Sequence, residues 1–97
     1  MATFVILLNW TDQGIKSVTE STARADAAQE LMGSFGVTMT DVYWTLGGYD
    51  VVSVVEAPDA EAVTAVLLKL GSMGNVRSTT LHAFTRDEFN SILAKAS

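Results

Sequence analysis

Apolar residues occur along the chain in runs whose periods predict four strands. The segment from Thr3 to Trp10 carries apolar side chains at odd and even positions alike, which is typical of a strand covered on both faces. The stretches 37–46, 49–57 and 76–84 are further strand-like runs, bounded by glycine, proline or polar residues. The first strand therefore indicates that something packs on the face of the sheet that lies away from the helices.

The segment after the first strand is predicted to form one long helix. Thr11 or Asp12 can cap its start, and apolar residues recur at spacings of three and four as far as Phe35. Its polar side carries Glu20 four residues before Arg24, the order in which an ion pair stabilises a helix. We therefore expect a continuous helix over this segment.

Glycines mark where the first helix ends and where two strands connect. Gly36 is predicted at the C′ position, where a left-handed backbone commonly ends a helix. Gly47 and Gly48 separate two apolar runs, and the favoured two-residue turns need positive φ angles. The second and third strands are therefore predicted to form a tight hairpin.

Two further helices have clear start signals. Asp59 is the expected N-cap of a helix from about Ala60 to Leu70, and Thr85 with Glu88 fits a capping box that starts a short C-terminal helix. The order β-α-β-β-α-β, plus that last helix, predicts an α+β, ferredoxin-like domain. Its four-stranded antiparallel sheet carries two helices on one face.

The composition favours a globular domain that associates with a second copy. Residues 1–97 are expected to form a single domain, because the length fits one domain and not two. The chain is 48% hydrophobic and 18% charged, and the charged fraction is below the roughly 25% of an average domain. Some apolar surface is therefore expected to meet a partner chain, in a homodimer or higher homo-oligomer. The alternative is a monomer with an unusually apolar surface.

Charge and cysteine content exclude several classes of function. The net charge is -5 and the six basic residues are scattered, so neither nucleic acid nor a membrane is an expected partner. The chain has no cysteine, which excludes disulfides, thiolate catalysis and Cys-ligated metals. No metal or dinucleotide motif appears, so no metal site and no cofactor are predicted. Without a signal peptide or an apolar stretch of membrane length, a cytoplasmic location is expected.

Several motifs resemble those of the GYD domain family over nearly the whole chain. They are Gly48-Tyr49-Asp50, Trp10-Thr11 with Gly14-Ile15-Lys16, Val55-Glu56-Ala57-Pro58, and residues 74–81 with Ala83-Phe84-Thr85. Ser78 and His82 depart from the Thr and Arg that are more usual there. The resemblance implies a ferredoxin-like domain of the dimeric α/β-barrel group, in which two sheets face each other across a twofold axis. It implies no particular reaction, since the family has none established.

Six residues are candidates for binding a small organic ligand between the sheet and a partner: Trp44, Tyr49, Asp50, Arg77, Thr80 and His82. Each has a structural alternative, since Asp50 can accept backbone hydrogen bonds after the glycine turn and Trp44 can fill the core or a dimer interface. The lone histidine can simply be exposed or hydrogen-bonded. The alternation does not fix which face the fourth strand turns to the helices, and a register shift of one residue would invert the set.

Three functions remain open at this point. The leading hypothesis is a homodimeric small-molecule-binding domain with an unknown ligand. The first alternative is a small cofactor-independent enzyme, monooxygenase-like or with His82 or Asp50 as the base in a proton abstraction or isomerisation. The second alternative is a structural oligomerisation module whose sheet face serves only for pairing.

Overall fold

The computed structural model describes residues 1–97 and contains four strands and four α-helices. The strands are β1 (Ala2–Trp10), β2 (Thr38–Trp44), β3 (Val51–Ala57) and β4 (Val76–Ala83). The helices are α1 (Asp12–Lys16), α2 (Ser21–Ser34), α3 (Ala60–Ser72) and α4 (Arg86–Ala96), with a 3₁₀ turn at Val18–Glu20. None of these helices has both the length and the apolar character needed to cross a membrane.

The four strands form one antiparallel sheet in the order β2-β3-β1-β4. The α+β class and the ferredoxin-like arrangement are thereby confirmed. Paired residues of antiparallel strands point to the same side, so the register fixes both faces. Phe4 and Ile6 of β1, paired with Val55 and Ser53 of β3, belong to the side packed against α2 and α3, here called the helix-covered face. The other side is called the open face.

The hydrophobic core lies between the helix-covered face and the two long helices. Val55 is fully buried, as are Val63 and Val66 of α3, while α2 contributes Met32. The buried Ser53 donates its hydroxyl to the carbonyl oxygen of Asp41 at 3.2 Å, so its polar group is paired. The core thus occupies one face of the sheet only.

The predicted continuous helix from residue 12 to 35 is wrong, because the chain leaves helical geometry between α1 and α2. The Arg24 guanidinium donates to the carbonyl oxygens of Gly14 and Ser17, each at 3.2 Å, and to the Ser17 hydroxyl at 2.7 Å. These bonds add side-chain donors to carbonyls at the end of α1, which also accept the backbone N–H groups of Ser17 and Glu20. Arg24 therefore caps the end of α1. This role differs from the ion pair with Glu20 that the helical spacing predicted.

The predicted end of the first helical region is confirmed. Gly36 has a φ of 75°, and its N–H donates to the Gly33 carbonyl at 3.1 Å. The Val37 N–H donates to the Met32 carbonyl at 2.9 Å, which completes a Schellman motif. The N-caps are confirmed as well: the Asp59 carboxylate accepts the Ala62 N–H at 2.9 Å, and the capping box at Thr85 is complete.

The predicted two-residue hairpin turn is wrong, because the link between β2 and β3 spans residues 45–50. Only Gly47 in this link has a positive φ, at 125°, whereas Gly48 does not. The Thr45 N–H donates to the Asp50 carbonyl at 2.9 Å and closes the wider loop. The second glycine therefore does not form the tight turn that the sequence predicted.

Candidate functional site

A cavity of about 270 Å³ lies between the helix-covered face and α2. Its lining comes from β1, β2, β3, α2 and the segment that joins the end of α3 to β4. All but four of the lining residues are apolar; the four exceptions are Ser21, Arg24, Ser53 and Asn75. Both tryptophans of the chain, Trp10 and Trp44, lie in the lining. The cavity is therefore an apolar compartment inside one copy of the chain.

Small side chains on α2 contribute to this cavity. Ala25 and Ala28 line it from the helix, one turn before the larger Leu31 and Met32. Protein interiors are normally packed with few voids larger than a water molecule. Alanines facing a sheet across a helix–sheet layer leave unfilled volume, which explains why the space lies under this part of α2.

A side-chain hydrogen bond joins β2 to α2 at the edge of the cavity. The Trp44 indole N–H at the end of β2 donates to the hydroxyl of Ser21, the first residue of α2, at 2.8 Å. Both residues line the cavity, and Trp44 is 41% exposed. The bond therefore fixes the position of the indole at the solvent-facing rim.

The six predicted ligand-binding residues do not form one cluster in the chain. Trp44 alone lines the cavity. Thr80 and His82 lie on the helix-covered side of β4, opposite Ile6 and Phe4, whereas Arg77 lies on the open face. Thr80 borders a smaller groove between α3 and β4. Arg77 thus lies on the opposite face of β4 from Thr80 and His82. A ligand-binding role for these residues stays a prediction.

His82 is packed between two aromatic rings at the exposed edge of the sheet. Its imidazole stacks on Phe4 with a centroid distance of 4.8 Å and on Phe84 at 4.6 Å. His82 is exposed to solvent. The enzyme hypothesis instead requires a catalytic base that is buried in a cleft. No group of three or more His, Cys, Asp or Glu side chains is placed to hold a metal ion.

The Gly48-Tyr49-Asp50 triplet ties the β2–β3 loop to the end of β1. The Asp50 carboxylate accepts the Trp10 backbone N–H at 2.9 Å, and the Asp50 N–H donates to the Leu8 carbonyl at 2.9 Å. The Asn9 amide donates to the Gly48 carbonyl at 2.9 Å. The Asp50 carboxylate is thus engaged with the backbone, and the triplet acts here as a structural clasp.

The sequence interpretation missed most of the cavity. Ala25 and Ala28 of α2 line the space beside Met32, and none of the three was among the predicted ligand-binding residues. Met39 and Met73 approach it from β2 and from the end of α3. The available signal was the run of alanines on α2, because a helix face without large side chains cannot fill the layer beneath it.

Comparison with known proteins identifies the family. The model of the GYD domain family matches residues 4–93. This chain belongs to the GYD domain family. A Thermus thermophilus protein, named glutamine synthetase and cystathionine beta-lyase binding protein, is 42% identical to this GYD domain over 84 residues. The match covers 86% of this chain and 88% of that protein.

Solved structures share the fold of this GYD domain. A crystal structure of a protein from Thermus thermophilus has a TM-score of 0.55 and 26% identity, covering 88% of this chain and 95% of that one. A hypothetical protein of Pyrococcus horikoshii has a TM-score of 0.56 at 17% identity, with 89% and 93% covered. The second likeness concerns the fold alone.

Proposed function

We propose that this GYD domain binds a small molecule and acts as a homodimer. The observation that carries the proposal is the apolar cavity of about 270 Å³. At about 24 cal/mol per Å³, an empty closed void of that volume would cost about 6 kcal/mol, which is an upper limit for a partly open cavity. That cost is comparable to the whole stability of a small domain. A ligand that fills the cavity removes this cost.

A cavity-filling variant tests small-molecule binding. Ala28→Phe puts a large side chain into the cavity, and Ala23→Phe, on the exposed side of α2 and outside the lining, is the matched control. In a thermal-shift screen of small apolar compounds, a ligand at a hundredfold excess over its Kd adds about 2.7 kcal/mol to the stability. We expect this gain in the wild type and in Ala23→Phe but not in Ala28→Phe.

The screen also has an outcome that contradicts the proposal. If no compound that fits the cavity stabilises the wild type, the domain does not work as a small-molecule carrier. Equal stabilisation of Ala28→Phe would put the ligand elsewhere on the molecule. Should Ala28→Phe fail to fold, Ala28→Leu with Ala23→Leu as its control repeats the comparison with a smaller side chain.

The open face of the sheet supports the homodimer. Its centre consists of four half-buried aliphatic side chains: Val5, Leu7, Val52 and Val54. Two larger, exposed side chains flank this centre, Tyr43 on β2 and Leu81 on β4. Both α2 and α3 pack on the opposite face. Contiguous apolar and aromatic side chains on an uncovered face are typical of interfaces between proteins. We therefore propose that two copies pair through their open faces, as in a dimeric α/β barrel.

The C-terminal helix favours a second function, which is binding to another protein. α4 makes no substantial packing contact with any other helix or strand. Phe89, Ile92 and Leu93 share one of its faces and are 49%, 36% and 51% exposed. An amphipathic helix presented in this way fits a hydrophobic groove on a partner. The relative's name, a binding protein for glutamine synthetase and cystathionine beta-lyase, supports a metabolic enzyme as that partner.

Purified partners test this second function. Glutamine synthetase and cystathionine beta-lyase from the organism that encodes the chain are titrated against the wild type, Ile92→Lys and Ser91→Lys. Ile92 lies on the apolar face of α4, and Ser91 lies on its opposite, solvent-facing side. If the partner binds through the apolar face of α4, the affinity of Ile92→Lys for it should fall by at least about tenfold, and that of Ser91→Lys should stay close to the wild-type value. Equal binding by both variants would exclude the apolar face of α4 as the contact.

A further inference from the structure

The side chains around the cavity are unusually rich in polarisable groups. Both tryptophans line it, together with three of the four methionines of the chain, which are Met32, Met39 and Met73. Thioether sulfurs make favourable contacts with aromatic rings. Indole rings gain further energy when a second ring lies offset against them or edge-on. This set of side chains therefore favours an aromatic ligand over a saturated one of the same size.

The polar side chains of the lining already have partners. Ser53 donates to the Asp41 carbonyl, and Ser21 accepts from the Trp44 indole. Arg24 is bound to the end of α1, and the Asn75 side-chain oxygen accepts from the Gln13 amide at 3.0 Å. No buried side-chain nitrogen or oxygen of the protein lacks a hydrogen-bond partner.

This pairing restricts the charge of the ligand. An ammonium group that entered the cavity would lose its water and meet no anionic side chain in the lining. A carboxylate would meet one cation, Arg24, whose guanidinium already donates three hydrogen bonds to Gly14 and Ser17 at the end of α1, so it would compete with these bonds while losing its own water. The buried part of the ligand must therefore be uncharged and apolar. A single polar group is compatible with the cavity only where it reaches the solvent at the rim near Ser21 and Trp44.

The volume restricts the size of the ligand. An apolar cavity of about 150 Å³ holds benzene, so the space of about 270 Å³ has room for a substituted ring or two fused rings. We infer that the cavity takes an uncharged aromatic molecule of this size. This inference rests on the proposed small-molecule function and adds the chemical class of the ligand.

Three probes of related shape test the class of ligand: ethylbenzene, its saturated analogue ethylcyclohexane, and the charged phenylacetate. Because both tryptophans of the protein line the cavity, the two indole N–H signals in a nitrogen–proton NMR spectrum report its occupancy. We expect ethylbenzene to shift both signals and to bind at least about threefold more tightly than ethylcyclohexane. Phenylacetate is expected to leave both signals in place. Ethylcyclohexane leaves water more readily, so a preference for ethylbenzene must come from contacts in the cavity.

Variants connect these signals to the cavity. Ala28→Phe is expected to abolish the shifts, and Ala23→Phe to retain them. Met39→Leu removes a sulfur at nearly constant volume. It should therefore lower the affinity for ethylbenzene by about twofold and leave the affinity for ethylcyclohexane unchanged.

The outcomes separate the ligand class from the function itself. Equal or tighter binding of ethylcyclohexane overturns the aromatic class but leaves small-molecule binding intact. Binding of phenylacetate as tight as that of ethylbenzene overturns the uncharged class. If none of the three probes moves either indole signal, the inference fails, and the wider thermal-shift screen then decides separately whether the domain binds any small molecule.

Discussion

At the residue scale, Gly14 in α1 lies directly against the loop that precedes β4. A Cβ atom at this position would overlap the carbonyl oxygen of Asn75, which accepts the Thr11 N–H at 3.1 Å. Gly14→Ala is therefore expected to lower the free energy of unfolding by about 1–3 kcal/mol, as measured by urea denaturation. Gly33→Ala is the matched control, since a Cβ there meets no heavy atom within 4 Å. It should raise stability by up to about 1 kcal/mol. A Gly14→Ala protein of wild-type stability would contradict the close approach.

Asp50 distinguishes a structural role from a ligand-binding one. Its carboxylate accepts the backbone N–H of Trp10, so Asp50→Ala leaves that partly buried donor unpaired. We expect a loss of about 1–3 kcal/mol in the free energy of unfolding, with unchanged affinity for a cavity ligand. Asp26→Ala, at an exposed position of α2, should change stability by no more than about 0.5 kcal/mol. Weaker ligand binding without a loss of stability would instead support the role predicted from the sequence.

At the element scale, the start of α4 depends on an ionised carboxylate. The Thr85 backbone N–H donates to Glu88 at 2.7 Å and holds the pKa of Glu88 below its usual value of 4.5. The Thr85 hydroxyl and the positive charges of His82 and the N-terminus lower the pKa in the same direction. Because the folded pKa is the lower one, ionised Glu88 stabilises α4 above about pH 4.5. This contribution is lost as the pH falls through the folded pKa.

Acid titration of α4 by NMR checks this dependence. In the wild type, the Cα chemical shifts of residues 86–96 should move away from helical values as the pH falls below about 4.5. Glu88→Gln keeps a hydrogen-bond acceptor but cannot titrate, so its α4 shifts should vary far less over that range. Glu30→Gln removes a carboxylate from α2, and its α4 chemical shifts should change with pH as they do in the wild type. Identical curves for all three proteins would show that the capping box does not control α4.

Local signals in the sequence predicted the ends of the elements well. Asp59 and Thr85 are N-caps and Gly36 ends α2, because each acts on backbone groups within three residues of itself. The break after α1 could not be predicted in this way. At the break, Arg24 donates to the carbonyls of Gly14 and Ser17, and the spacing of apolar residues carries no information on such bonds.

At the scale of the whole molecule, the sequence predicted the topology but not the candidate site. The order of elements determined the βαββαβ arrangement. The cavity depends on the volume left between α2 and the sheet, which periodicity does not measure. The alternation along β4 places Arg77 and Thr80 on opposite faces, but only the pairing with β1 shows which of these faces the helices cover.

The two faces of β1 make dimerisation and ligand binding separable. Ile6 and Leu8 line the cavity, whereas Leu7 points to the open face. Leu7→Lys would bury an unpaired charge between two sheets, so it should convert a dimer into a monomer in sedimentation velocity at micromolar concentration. Leu68→Lys makes the same change at a position on α3 that is 71% exposed, and it should remain dimeric.

This experiment also shows whether the proposed dimer is needed for the cavity. All of the lining comes from one copy of the chain. Monomeric Leu7→Lys should therefore still bind ethylbenzene with an affinity within about twofold of the wild type, provided that the fold is intact by circular dichroism. A wild type that sediments as a monomer would remove the open face as a dimer interface. A dissociated Leu7→Lys variant that no longer binds would mean that the second copy contributes to the site, because the cavity in a single chain would then be insufficient.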